Sequence, residues 1–555
     1  MGLGSSLGLG LARRFLRARQ GNVAMLFALS MPAVMMVGLG GVDVNRIYTV
    51  RAHLQDALDA ATLAAARSSF TDDANITKVG LAALKANLQQ VPQIEFNNEA
   101  TFVLNNQGIV VGSAKVKVKT LVANIVLPPY GQVLDDKIPV ASTSEVFRSN
   151  NRIEVALVLD NTGSMAGTKL TNTKKAAKDL ITRLAAADAR SVEEDAVKIS
   201  LVPFSMTVRP SSGLTYAQGV NNAQRPAWLS NATNHTGADM FSTAVGRFTL
   251  FSRMQADWYG CIESRAYPYD VNDTAPSSLD QATMFTPYLN PDDPDAIDYS
   301  KDRAWQNYFG SGDNNYLDDG IAGNSSSNGG FSNTTQRAAM WKTRRIRTEK
   351  YVRITGGHHD EFGPNRGCSL EPVQRLTQDY DGLKRAVDRM VATGNTNIPM
   401  GLMWGWHTIS PRTPFADGRA YGSERLQKII ILMTDGENVN SESASPDNSD
   451  YSGVGLIWQG RLTKPGAGGY VVNASSSGAV RREAMDKRLA ELCANIRTQN
   501  IIVYSVGVQV DSRTQQLLRG CATQAENYFN VTSAGDIGAA FDRIAGAIEN
   551  LRIAR

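Results

Sequence analysis

The chain of 555 residues is several times longer than a typical domain, which predicts at least two folded units. Hydrophobic residues make up 42% of it and charged residues 20%, an ordinary globular composition that excludes a fibrous or wholly disordered protein. The 57 basic and 53 acidic residues leave a formal charge of +4, which is too even for a dedicated nucleic-acid-binding protein.

The amino-terminal segment has the charge pattern of a membrane anchor. Four arginines and no acidic residue lie in residues 1–22, and residues 23–42 then continue without a charge. Twenty helical residues span roughly 30 Å, the thickness of a bilayer's hydrocarbon core. Because basic residues keep their side of a membrane helix in the cytoplasm, we expect 1–22 inside, one uncleaved anchor at 23–42 and the rest outside. A cleaved signal peptide is the alternative, but no A-x-A site follows the run.

Residues 43–150 show the pattern of a small module that combines helix and β-sheet. Apolar residues recur at steps of three and four between Ile47 and Ala65, which predicts an amphipathic helix. Alternating polar and apolar residues predict strands at Thr101–Leu104 and Ile109–Thr120. We therefore expect a helix followed by a small sheet between the anchor and the main domain.

The same amino-terminal residues carry a family resemblance. A Gly precedes the uncharged run, Asp43 directly follows it, and the helix LQDALDAATLAAA comes next. This combination, over residues 20–66, resembles the amino-terminal segment of TadE/TadG-like proteins of the Flp (Tad) pilus-assembly system. The resemblance implies a component of that machine in a Gram-negative bacterium, with other Tad pilus-assembly proteins as partners.

The pattern from residue 151 onward predicts a doubly wound α/β domain. Amphipathic helices alternate with four apolar runs that are typical of buried parallel strands. These runs are Ile153–Leu159, Val197–Phe204, Ile429–Met433 and Ile501–Val508. The alternation predicts a mostly parallel sheet with helices on both faces, in which ligands bind beyond the carboxyl ends of the strands.

Oxygen-bearing side chains lie at the ends of two of these strands and in one segment between the strands. The motif DNTGSM comes directly after the first strand, TGNTN lies between the strands, and TDGEN ends the third run. Two carboxylates and three hydroxyls without His or Cys suit Mg²⁺, or else Mn²⁺ or Ca²⁺. The candidate metal ligands are Asp160, Thr162, Ser164, Thr396 and Asp435.

The order of these motifs resembles the metal-ion-dependent adhesion site (MIDAS) of von Willebrand factor type A (VWA) domains, Asp-x-Ser/Thr-x-Ser followed by a distant Thr and a distant Asp. The resemblance covers residues 152–204 and about 375–549. It implies a Rossmann-like VWA fold and a metal whose open coordination position accepts a carboxylate from a partner protein. The alternatives are a helix cap for Thr162 or Ser164 and an ordinary turn for Asp435.

Two long segments interrupt the VWA pattern, at about 205–375 and 440–480. Both leave strand ends that also supply candidate ligands, so we expect them at the rim of the site. None of the four cysteines forms a C-x-x-C pair, which excludes a zinc ribbon. In an oxidising compartment we expect the disulfides Cys261–Cys368 and Cys493–Cys521, with a buried free thiol at Cys493 as the alternative.

These features predict a binding protein and not an enzyme. The segment GSMAGTK departs from the phosphate-loop pattern, and the chain contains no G-x-S-x-G motif. We expect a single-pass protein of the bacterial inner membrane, with its bulk in the periplasm, that binds an acidic group of a partner protein through the metal. The alternatives are a surface adhesin for host or matrix ligands and, from another class, a metal-dependent hydrolase sited in the larger insertion.

Overall fold

A computed structural model describes residues 21–68, 70, 72–89, 91, 94–105, 108–120, 137–147, 151–189, 191, 193–231, 240–242, 244–295, 314–318, 334–354, 361–443 and 445–553. The predicted basic segment at 1–22 lies outside the described residues except for its last two positions. The chain divides into two compact units, one ending at residue 150 and the other extending from 151 to 552.

The first unit combines two helices with a small antiparallel sheet. Its strand β3 pairs with each of the other three strands, and β4 follows β3 along its whole length. Fully buried Leu54 and Leu58 pack with Phe102 and Val110 in its core. The elements are α1 (Gly21–Arg67), α2 (Asp73–Leu88), β1 (Ile94–Glu95), β2 (Ala100–Leu104), β3 (Ile109–Lys119) and β4 (Lys137–Phe147).

Helix α1 includes both the predicted anchor and the predicted amphipathic helix. Leu26, Phe27 and Leu29 are exposed in its first half, whereas its second half contributes to the core of the first unit. No helix in the described part of the chain is long and apolar enough to cross a membrane. The transmembrane helix expected at 23–42 is thus not found within the described residues.

The second unit is built on a six-stranded sheet in the order β10-β9-β8-β5-β6-β7. Neighbouring strands are parallel except for β7, which is antiparallel to β6. The predicted α/β fold with a mostly parallel sheet is confirmed. The strands are β5 (Arg152–Asp160), β6 (Val197–Phe204), β7 (Gln374–Thr377), β8 (Leu426–Thr434), β9 (Ile502–Val508) and β10 (Tyr528–Val531).

Helices cover both faces of this sheet. The helices of the unit are α3 (Thr168–Ala189), α4 (Tyr216–Val220), α5 (Arg247–Met254), α6 (Thr334–Arg345), α7 (Tyr380–Arg389), α8 (Ile398–Ile409), α9 (Gly478–Thr498), α10 (Ser512–Cys521) and α11 (Ile537–Ile553). Helices α3, α7 and α11 share one apolar core with the sheet, and α8, α9 and α10 share the other. The sheet is therefore doubly wound, as its strand and helix alternation predicts.

The larger insertion packs into the second of these cores. Phe248, Phe251 and Trp258 are buried in the cluster that contains Trp404 of α8. A disulfide joins Cys261 to Cys368 within the insertion, and a second joins Cys493 of α9 to Cys521 of α10. These are the two pairs that the sequence predicts. The insertion is thus part of the folded unit and lies on the α8 side of the sheet.

Candidate metal centre

Two neighbouring parallel strands place the candidate ligands side by side. Leu159 of β5 lies opposite Met433 of β8, so Asp160 ends one strand beside Thr434, which ends the other. A short 3-10 turn, Gly163–Met165, leads from β5 toward α3. The side chain of Thr162 makes no capping hydrogen bond at this turn.

Asp160 is fully buried, and hydrogen bonds fix both of its carboxyl oxygens. Its Oδ1 accepts from the backbone N–H of Thr162 at 2.8 Å, and its Oδ2 accepts from the hydroxyl of Thr434 at 2.6 Å. The pKa of Asp160 is raised to about 6, chiefly by burial and to a smaller extent by the charge of Asp435, and the bonds from Thr162 and Thr434 oppose this shift. An ionised Asp160 would therefore gain from a nearby positive charge.

Hydroxyl groups connect the two loops at the end of the sheet. Ser164 donates a 2.6 Å hydrogen bond to Oδ1 of Asp435. The hydroxyls of Thr162 and Ser164 are 3.1 Å apart, and since Ser164 gives its one proton to Asp435, Thr162 is the donor of that pair. The Ser164 oxygen keeps lone pairs, and its residue is exposed to solvent. The Ser164 oxygen can therefore still offer a lone pair to a ligand at the surface.

The side chain of Lys169 also reaches this cluster. Its Nζ lies 2.7 Å from Oδ2 of Asp435, whose side chain is fully buried. Asp435 is therefore held on one oxygen by a hydroxyl and on the other by an ammonium group. Lys169 is not among the residues predicted from the sequence, because its segment GSMAGTK departs from the phosphate-loop pattern and matches no other motif considered for it.

Thr396 lies at the edge of the same cluster. A methyl group built on Gly436 would lie 3.6 Å from the Thr396 hydroxyl and 3.8 Å from the Ser164 hydroxyl. The backbone N–H of Gly163 donates to the carbonyl of Gly394 at 2.9 Å, which ties the Thr396 loop to the loop after β5. Hydrogen bonds thus link four predicted ligands in the order Asp160, Thr162, Ser164 and Asp435. The Thr396 hydroxyl lies near Gly436, as the Ser164 hydroxyl does.

The chemistry of these donors fits a small hard cation. The five side chains offer two carboxylates and three hydroxyls, which are the oxygen donors that Mg²⁺, Mn²⁺ and Ca²⁺ prefer. Within the described residues no group of three or more His, Cys, Asp or Glu side chains is arranged to hold a metal. A cation here would therefore depend on the hydroxyls and on water as well as on Asp160 and Asp435.

A polar cavity of about 800 Å³ adjoins the candidate centre. Thr393 and Asn395, which flank Thr396, contribute to its wall. The larger insertion supplies Tyr288 and Arg366 among other residues, and the shorter insertion supplies Glu442 and Tyr451 among others. Both insertions therefore contribute to a cavity beside the site. Its volume lies within the range of about 300–1,000 Å³ that is usual for ligand sites.

Comparison with known protein families identifies the amino-terminal segment. Residues 21–68 match the family described as putative Flp pilus-assembly TadE/G-like. The resemblance of this segment to TadE/TadG-like proteins is thereby confirmed. Among curated proteins, none is significantly similar to the chain.

Several solved structures of pilus proteins align with the chain at low identity. The vWF domain of the type V pili tip protein Mfa5 from Porphyromonas gingivalis is 10% identical, with 73% of this chain and 97% of that one covered and a TM-score of 0.32. The pilus adhesin SpaC from Lactobacillus rhamnosus GG is 12% identical, with 82% and 35% covered and a TM-score of 0.30. The pilus adhesin RrgA from Streptococcus pneumoniae is 12% identical, with 82% and 50% covered and a TM-score of 0.32. The alignment thus spans about a third of SpaC and half of RrgA, and these scores are too low to establish a shared fold.

Proposed function

We propose that this protein is a TadG-like component of a Tad pilus-assembly machine whose VWA-type domain binds an acidic group of a partner protein through a divalent cation. The observation that carries the proposal is the hydrogen-bonded chain of Asp160, Thr162, Ser164 and Asp435 at the ends of two adjacent parallel strands. The TadE/G-like match of residues 21–68 supports the assignment to pilus assembly.

Each side chain of the centre has a distinct part in this proposal. The hydroxyls of Thr162, Ser164 and Thr396 would hold the cation directly, because hydroxyl oxygens coordinate without adding charge. Asp160 and Asp435 would balance its charge from the buried side. Asp160 also fixes the backbone of Thr162, and Asp435 orients the hydroxyl of Ser164. The bound cation would supply an electrophilic position on the exposed side of Ser164, where a carboxylate of the partner binds.

The adjoining cavity would bind a further part of the partner protein. Its lining combines amide and hydroxyl side chains with charged residues, among them Arg366, Glu442 and Asp450. Such a lining favours a polar polypeptide segment over an apolar one, because desolvated amides and charges need hydrogen-bonding partners. We therefore propose another pilus-assembly protein as the partner and no catalytic reaction.

The proposed location is the periplasmic side of the inner membrane. It is supported by four arginines before the uncharged residues 23–42 and by exposed Leu26, Phe27 and Leu29 on α1. Since the described helices include no membrane span, fractionation must test this part directly. A periplasm-dependent reporter fused after Arg555 should be active, and the fusion protein should sediment with membranes. Deletion of residues 1–42 should release the fusion protein from the membrane fraction. Activity of a cytoplasm-dependent reporter instead would overturn the orientation.

Thermal unfolding with and without Mg²⁺ tests the metal site. A cation at a hundred times its dissociation constant should stabilise the wild-type protein by about 2.7 kcal/mol. Asp160→Ala should remove this gain while leaving the fold intact, because Asp160 lies at the end of a strand. The matched control is Asp388→Ala, which removes a half-exposed carboxylate of α7 that pairs with Lys178 and should keep the full gain.

Complementation of a deletion strain tests the role in assembly. The Asp160→Ala protein should reach normal abundance and fail to support pilus assembly, whereas Asp388→Ala should restore it. Normal pili with Asp160→Ala would contradict the proposed function.

A further inference from the structure

Lys169 occupies an unusual place for a basic side chain. It lies in the first turn of α3, where the partial positive charge of the helix end disfavours a cation. Its side chain is only 23% exposed, and its ammonium group lies 2.7 Å from Oδ2 of Asp435. A lysine at a helix start normally extends into solvent, so the contact with Asp435 is what holds it here.

This contact gives the candidate centre a positive charge of its own. Lys169 is the only basic residue that forms an ion pair with Asp160 or Asp435 in the described part of the chain. The nearby carboxylates have partners elsewhere: Glu437 pairs with Arg482, and Asp486 pairs with Arg513. The ammonium group therefore balances the very carboxylate that a divalent cation would need.

We propose that Lys169 is a built-in counter-ion that competes with the divalent cation for Asp435 and so keeps the affinity of the empty site low. This inference rests on the proposed function. A divalent cation that shares Asp435 with Lys169 would lie close to the ammonium group. The repulsion between these two positive charges opposes binding of the cation. A partner that brings its own carboxylate adds the missing negative charge.

The consequence is a coupling between the cation and the partner. With Lys169 present, cation and partner carboxylate each bind better when the other is bound, and by linkage the two effects are equal. Without Lys169, the cation should bind firmly before any partner arrives. The residue thus makes cation loading depend on an acidic ligand.

Titration of the purified full-length protein with Mn²⁺, followed by calorimetry, tests the competition. Lys169→Met keeps most of the length of the side chain and removes its charge, and it should bind Mn²⁺ at least about tenfold more tightly than the wild type. The matched control is Lys178→Met on the same helix, whose Nζ lies 2.6 Å from the half-exposed Asp388. The control should bind Mn²⁺ like the wild type, and equal or weaker binding by Lys169→Met would overturn the inference.

Melting of the protein in the presence of a chelator provides a second measurement. Lys169→Met should melt below the wild type there, because buried Asp435 has lost its counter-ion, and addition of Asp435→Asn should restore the melting temperature. Absence of Mn²⁺ binding by both wild type and Lys169→Met would overturn the proposed function and the competition together. Binding by the wild type with no change in Lys169→Met would overturn the competition alone.

Discussion

The two faces of the six-stranded sheet are covered in different ways. On one face, α3, α7 and α11 pack against the sheet through an almost entirely aliphatic core. On the other, the insertions add buried charges to the aromatic core around α8. Glu263, which is fully buried, contacts Arg247, Arg461 and the hydroxyl of Tyr451, so it connects the larger insertion to the shorter one.

The two faces therefore depend on different interactions, apolar packing on one and buried ion pairs on the other. An aliphatic core is stabilised roughly in proportion to the apolar area that it removes from water, and it tolerates many substitutions of similar volume. A buried ion pair contributes little net stability, but removal of one partner leaves a buried charge without compensation. The insertion side should therefore respond sharply to single changes of charge, whereas the α3 side should respond mainly to changes of volume.

The largest expected effect comes from the disulfide of the insertion. Replacement of Cys261 and Cys368 by Ala opens a loop of 107 residues and should cost about 5 kcal/mol by chain entropy. The same change at Cys493 and Cys521, which enclose 28 residues, should cost about 3.5 kcal/mol. Denaturant unfolding under non-reducing conditions measures both losses. A smaller loss for the longer loop would show that the insertion is held together mainly by other contacts.

Glu263→Gln is the direct test of the ionic core. The change keeps the shape of the side chain and leaves the guanidinium groups of Arg247 and Arg461 without their shared carboxylate, so it should cost about 3–5 kcal/mol. Leu157→Ala on the opposite face should cost about 2–5 kcal/mol through the cavity that it leaves. Equilibrium unfolding of the two variants compares the faces. A loss below about 1 kcal/mol for Glu263→Gln would contradict the expected difference between the two faces.

A pH dependence should come from His407, which lies fully buried on α8 between Phe285 and Trp404. Burial lowers the pKa of His407 well below its ordinary value, and the charge of Arg265 lowers it further. Below about pH 6.5 the unfolded chain therefore takes up a proton that the folded protein excludes. Stability should fall as the pH falls, by at most about 1.4 kcal/mol per pH unit.

Comparison of the wild type with His407→Phe isolates this contribution. The free energy of unfolding, measured between about pH 7.5 and 5, should depend less steeply on pH in the variant. Identical slopes for the two proteins would mean that His407 accepts a proton within the folded structure.

The smallest effect is expected at the surface pair of Lys178 and Asp388. Both side chains are at least a third exposed, so Lys178→Met should change stability by less than about 1 kcal/mol. Measurement at low and high salt should show any loss only at low salt, because exposed charges are screened. A loss as large as that of Glu263→Gln would remove the distinction between buried and exposed pairs.

The sequence predicts the elements of the second unit where their patterns are strong. The runs at Ile153–Leu159 and Ile429–Met433 lie within β5 and β8. Strands β7 and β10 were not predicted because each has four residues and too little alternation to stand out. Helix α8 was missed for the opposite reason: nearly all its residues are buried, so it shows no polar stripe.

The general rules of parallel sheets predict the two carboxylates of the candidate centre. Asp160 ends β5 and Asp435 directly follows β8, and the carboxyl ends of neighbouring parallel strands lie together in any doubly wound sheet. The partner of Lys169 could not be predicted, because Asp435 is 266 positions away and a lysine near a helix start carries no special signal. The same applies to Glu263, whose contact with Tyr451 spans 188 positions.

The separation of the candidate ligands along the chain also sets a time order for their assembly. Ser164 and Asp435 form their hydrogen bond across 271 positions. At about 5–20 residues per second, synthesis of the chain between them takes roughly 14–54 s. During that interval the DNTGSM loop exists without its second carboxylate, so a newly made chain could bind the proposed cation only after β8 has joined β5. Cation binding would therefore report that the domain is complete.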